Sequence, residues 1–147
     1  MRDVFDGLLG EWGFEREIPG QGRMSGTASF TALEDGSVLY REAGELRLED
    51  GQALQSRQSY LYERGDCGFA VRFHDTRELF QVVRFEVEGE EMAGGAEHLC
   101  KDDRYVSAYR IYADGSFEIR HRVSGPKKDY AIRTVYWRLK RESGASC

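Results

Sequence analysis

GEWGFEREI, residues 10–18, decides the fold. Its side chains alternate. Trp12, Phe14, Arg16 and Ile18 fall on one side, and Glu11, Gly13, Glu15 and Glu17 on the other. A strand with one buried face reads this way. Two residues on the apolar side ask for partners. An inward tryptophan needs a surface to pack on, and an inward arginine needs acceptors, because burying a cation is costly unless it is paired.

Outward from this stretch the same period continues. Turn signals recur at PGQG (19–22), EDGS (34–37), EDGQ (49–52), RGDCG (64–68), HDTRE (74–78), VEGEEMAGG (87–95), KDD (101–103), ADGS (113–116) and GPKKD (125–129). Gly and Asp tolerate positive φ and favour tight hairpins. The runs between them alternate, which predicts antiparallel strands. Taking charged residues as outward, the inward sets include Met24, Gly26, Ala28 and Phe30, then Val38, Tyr40, Glu42 and Leu46. Further along come Phe69, Val71 and Phe73, Gln81, Val83 and Phe85, and Tyr105, Ser107, Tyr109 and Ile111. The last two sets are Phe117, Ile119, His121 and Val123, and Tyr130, Ile132, Thr134, Tyr136 and Arg138. Segment 53–63 fits either parity, with Tyr60 and Tyr62 or Arg57 and Leu61 inward.

About ten strands with one buried face need closure, since an open sheet leaves edges exposed. The expectation is all-β: one up-and-down antiparallel barrel of about 8–10 strands spanning 1–147 as a single domain. Residues 1–10, with Val4, Phe5, Leu8 and Leu9 near helical spacing, form a helical turn that closes the barrel, and 142–147 form a tail. In such a barrel the first and last strands are neighbours. Arg138 then reaches Trp12, stacks on the indole, and satisfies carbonyls of the N-terminal turn.

Gly10, Trp12 and Arg138 in this arrangement resemble the calycin superfamily, the lipocalins and fatty-acid-binding-type barrels, where Gly-x-Trp meets an arginine on the final strand. LYREAGEL (39–46), EHLCKDDRY (97–105) and GPKKDY (125–130) also resemble a lipocalin-like domain family of unknown function. The resemblance implies the barrel and brings no established activity. Some calycins hold heme through one histidine, which makes heme through His98 or His121 an option; otherwise no cofactor is expected.

Composition narrows the partners. A net charge of -5 argues against a general nucleic-acid or anionic-membrane binder. No apolar run is long enough for a membrane helix, and MRDVFDGLLG lacks the apolar core of a secretory signal. Cys67, Cys100 and Cys147 are widely spaced, with no CxxC pair, which points to reduced thiols and a cytoplasmic protein. No metal site is expected. HExxH, a nucleophile elbow and a dinucleotide fingerprint are all missing from the sequence.

The parity makes the interior partly polar. Arg16 and Glu42 are expected to pair. His98 and His121 face inward among Tyr40, Tyr105, Tyr109 and Tyr136, with Lys127 and Lys128 fringing one mouth. These residues make up the candidate ligand site. The leading expectation is an intracellular barrel binding a small, partly apolar ligand with a polar or acidic group. The alternative is a cofactor-free isomerase, cyclase or decarboxylase, with His98 or His121 as general base and Glu42 as its partner. A third reading is a structural or interaction module, with a homodimer as one form of it.

Overall fold

The structure is a computed structural model, and it describes residues 3–141. The expected tail (142–147), Met1 and Arg2, and the thiols of Cys100 and Cys147 lie outside the described residues. A short helix, α1 (Val4–Gly7), precedes ten strands. These are β1 (Gly10–Ile18), β2 (Gly22–Ala32), β3 (Val38–Leu48), β4 (Ala53–Arg64) and β5 (Gly68–Phe73), followed by β6 (Leu79–Glu88), β7 (Glu91–Cys100), β8 (Asp103–Ile111), β9 (Phe117–Ser124) and β10 (Asp129–Arg141). Each strand pairs with the next, and β10 pairs back onto β1, so all ten form one closed antiparallel up-and-down barrel.

Three of the connecting hairpins share one construction. At 33–37, 48–52 and 112–116 the glycine amide bonds the carbonyl three residues back, and the first residue's amide bonds the carbonyl of the fifth. The aspartate carboxylates of Asp35, Asp50 and Asp114 accept from the amide two residues on. Gly36, Gly51 and Gly115 sit at φ of 91°, 94° and 91°, the left-handed position that completes a turn-plus-bulge loop. The Asp-Gly pairs therefore set the strand ends by backbone geometry.

Closure follows the tryptophan. Trp12 and Arg138 are register partners across β1 and β10, next to a bulge at Glu11/Trp12. The Arg138 guanidinium lies 3.9 Å from the indole centroid. Its Nη1 donates to Leu9 O (2.6 Å) and its Nη2 to Gly7 O (2.5 Å). Trp12 Nε1 donates to Leu8 O at 2.8 Å. The carbonyls at the end of α1 are thus satisfied by the two residues that join the barrel ends. A desolvated cation–π contact of this kind is worth about 2 kcal/mol.

Val4, Phe5 and Leu8 carry the core out through this end of the barrel, above Trp12, Phe14, Phe30, Phe69 and Phe117. The edge-on Trp12–Phe117 contact and the stacked Phe117–Tyr136 pair bind the layers together, with centroids 4.7 and 4.3 Å apart. The opposite end, reached by Arg16 and by the hairpins at 19–21, 49–52 and 125–128, has no such plug among the described residues.

One segment departs from the sequence reading, and one that the sequence left open is settled. VEGEEMAGG is a turn at Gly89–Glu90 only, and from Glu91 the chain is strand. Its run of small residues conceals a strand because Gly94 faces Phe85, which fills the space a side chain would take. Segment 53–63 resolves with the even positions inward, since Tyr60 and Tyr62 line the lumen. Leu61 is nonetheless buried, on the outer face opposite Leu39 and Arg72.

Candidate functional site

The inward parity of β1, β3 and β10 brings Arg16, Glu42, Tyr40, Thr134 and Tyr136 together. Arg16 and Glu42 form a two-pronged pair, Nη1 to Oε2 at 2.8 Å and Nη2 to Oε1 at 2.9 Å. Arg16 Nε donates to Thr134 Oγ1 at 2.8 Å, and the guanidinium lies 4.9 Å from the Phe14 ring centre. Tyr40 OH donates to Glu42 Oε1 at 2.7 Å and meets Tyr136 OH at 2.9 Å. The expected Arg16–Glu42 pair is therefore present and anchored on both sides. Planar guanidinium and carboxylate groups match in this geometry.

This cluster forms part of the wall of a cavity of about 250 Å³ in the unplugged half of the barrel. The remaining wall includes Ser56, Gln58, Tyr60, Tyr62, Phe80, Gln81, Tyr109, Ile119, His121 and Ile132. Its size lies just below the ~300–1,000 Å³ typical of small-molecule sites. Phe80 enters the wall because of a register shift at Val71/Arg72, which adds a residue to β6. Gln81 Nε2 donates to Tyr109 OH at 2.5 Å.

Burial sets the charge state. It tends to lower the pKa of Arg16, but the hydrogen bond to Glu42 and the charge interactions with Tyr136, Glu42 and Tyr40 together outweigh this and hold the guanidinium charged. Burial pushes the Tyr40, Tyr60, Tyr62 and Tyr109 hydroxyls above their ordinary range, and Tyr136 up to about 12. His121 is pushed down to about 4, mainly by burial and further by the Arg16 charge. At pH 7 the cavity thus holds one balanced ion pair among neutral hydroxyls and a neutral imidazole.

Of the residues expected to form the site, Arg16, Tyr40, Glu42, Tyr109, His121 and Tyr136 line this cavity. His98, Tyr105 and Lys127 do not. His98 is half-buried, 5.5 Å from the Phe80 ring and 6.1 Å from the Tyr105 ring, and two strands away from His121. Tyr105 OH accepts from Lys128 Nζ at 3.3 Å, and Lys128 pairs with Asp103 at 3.1 Å. The neighbouring Lys127 is exposed. Asp129 is tied to Arg122 at 2.6 Å across the same hairpin. Strand parity placed Gln81, Ser107 and Thr134 inward without a site role, and left Tyr60 and Tyr62 open; tyrosines at alternate positions in a strand of uncertain parity were the available signal.

Among the described residues no three His, Cys, Asp or Glu side chains gather as a metal site. No helix among them is long and apolar enough to cross a membrane. Cys67 is an exposed free thiol.

Comparison with known proteins gives a family and a fold. The model of a family described as being of unknown function, DUF6314, matches residues 8–138. A search of curated proteins finds no match. Among solved structures, the chain is similar to the crystal structure of Rv2717c from M. tuberculosis, with a TM-score of 0.60 and 15% identity over 90% of this chain and 93% of that one. A de novo designed fluorescence-activating β-barrel aligns with a TM-score of 0.44 and 15% identity, over 95% of this chain and 100% of that one.

Proposed function

We propose a function on this premise: the chain belongs to the DUF6314 family, and its barrel takes one small, partly apolar molecule into the unplugged half of the lumen. The observation that carries this reading is the cavity itself. It presents apolar and aromatic walls beside a polar cluster whose members already hold one another in place. Preorganised polar groups in a concave, mainly apolar pocket are the usual makings of a ligand site. The calycin resemblance agrees with lumenal binding. The balanced Arg16–Glu42 pair favours a polar, uncharged ligand group over an acidic one, because a buried carboxylate there adds a charge with no free partner.

The catalytic alternative draws less support. Its two histidines do not share the cavity, and Glu42 is already engaged by Arg16 and Tyr40. Heme also draws less support, since about 250 Å³ suits a single ring better than a tetrapyrrole. A hemin titration followed in the Soret region checks this, and no spectral change is expected.

The test of lumenal binding is an NMR titration with phenol, acetophenone and benzamide. Saturable shifts are expected at Tyr109, His121 and Ile132, and they should vanish in Ile132→Trp, which fills the lumen. Shifts scattered over the outer wall, or unaltered by Ile132→Trp, refute lumenal binding.

A further inference from the structure

The polar groups around Arg16 converge on Glu42. Tyr40 donates to Glu42, so at the 2.9 Å contact between the two hydroxyls Tyr136 is the donor and Tyr40 the acceptor. Arg16 directs both terminal nitrogens to the same carboxylate.

His121 stands outside this chain of bonds. Its Nδ1 lies 2.7 Å from Ser107 Oγ on the adjacent strand β8, where the two residues are register partners. Ser107 is 2% exposed, and its hydroxyl has no second partner among the described residues. If Nδ1 carried the hydrogen, the buried Ser107 hydroxyl hydrogen would have no acceptor. If Ser107 donates, only an oxygen lone pair goes unused, which is the cheaper arrangement. A neutral imidazole carries one N–H, and with Nδ1 accepting, that hydrogen sits on Nε2. His121 lines the cavity, and its Nε2 makes no bond within the described chain.

We infer that Ser107 fixes His121 as the Nε2–H tautomer, and that this N–H anchors an acceptor oxygen of an uncharged carbonyl-type ligand. Tyr109 is a second donor, since its oxygen accepts from Gln81 and its own hydrogen has no acceptor within the described chain. Two neighbouring wall hydrogens without an acceptor in the described chain suit a ligand that supplies oxygen lone pairs. The inference rests on the lumenal-binding reading and adds the chemical class of the ligand.

The test has two arms. Long-range ¹H–¹⁵N spectra of the wild-type histidine rings at pH 7 are expected to show His121 Nε2 protonated and Nδ1 bare. The reverse pattern overturns the inference. In the second arm, acetophenone and ethylbenzene, similar in shape but differing in the carbonyl, are titrated into wild type, His121→Phe and His121→Gln. The ratio of their affinities should move about five- to tenfold against acetophenone in His121→Phe, the worth of one neutral hydrogen bond. His121→Gln, which keeps an N–H at similar reach, should restore much of it. If both compounds bind and His121→Phe leaves the ratio unchanged, the inference fails while lumenal binding stands. If neither compound binds wild type, lumenal binding fails for ligands of this size and takes the inference with it. His98→Phe, outside the cavity wall, serves as the control and should leave the ratio as in wild type.

Discussion

Substituting Glu42 removes the centre of the polar cluster, and its consequence can be worked from the geometry. The Glu42 side chain is 4% exposed and accepts two hydrogen bonds from Arg16 and one from Tyr40. Glu42→Gln keeps the shape but leaves the Arg16 charge without its counterion. Breaking a buried pair from one side typically costs ~3–5 kcal/mol. Arg16 retains 19% side-chain exposure, so water reaches part of it and about 3 kcal/mol is expected. Arg16→Met leaves the more deeply buried carboxylate alone with Tyr40, and about 4 kcal/mol is expected. The double variant removes both charges at once. It should cost about 3–4 kcal/mol, not the roughly 7 of the sum, a coupling of about 3–4 kcal/mol. Urea unfolding at pH 7, followed by tryptophan fluorescence and circular dichroism at constant m, measures each value. Single substitutions costing under about 1 kcal/mol, or additive ones, would refute the assignment of this pair as a mutually dependent buried unit.

Two further outcomes follow from the same structure. His121 has its folded pKa depressed to about 4 against an ordinary 6.5. The unfolded chain therefore binds the extra proton between these values. The histidine's contribution to stability is fully present above about pH 6.5 and is lost as pH falls towards 4, about 3 kcal/mol in all. Urea midpoints of wild type should drop faster than those of His121→Gln across this window, and a His121 ring titration with its midpoint near 6.5 contradicts it. Arg138→Met deletes two charge-assisted bonds to carbonyls and the contact with Trp12. A loss of about 3 kcal/mol is expected, which lowers Tm by roughly 10 °C. In a Trp137→Phe background the Trp12 emission should shift to the red, and an unchanged spectrum and Tm would show that the stack does not hold the barrel ends.

The amino-acid order by itself determined the barrel. Period-two alternation, Asp-Gly loops and the parity of Arg138 are local properties, and each follows from backbone geometry that a single strand or hairpin already imposes. The Trp12–Arg138 clasp and the Arg16–Glu42 pair were legible for the same reason: an inward charge demands a partner, and closure limits who that partner is. Tertiary structure decided what depends on several strands at once. The parity of β4 was settled by whether Tyr60 and Tyr62 or their neighbours met the core. β7 is strand because Phe85 fills the space beside Gly94, a contact outside its own sequence. A register shift between β5 and β6 brought Phe80 into the wall. His98 and His121 share inward parity, yet only His121 borders the open space, because height along the barrel and the packing of neighbouring rings decide which inward residues meet a void. Parity is a property of one strand, whereas a cavity is what all ten leave unfilled.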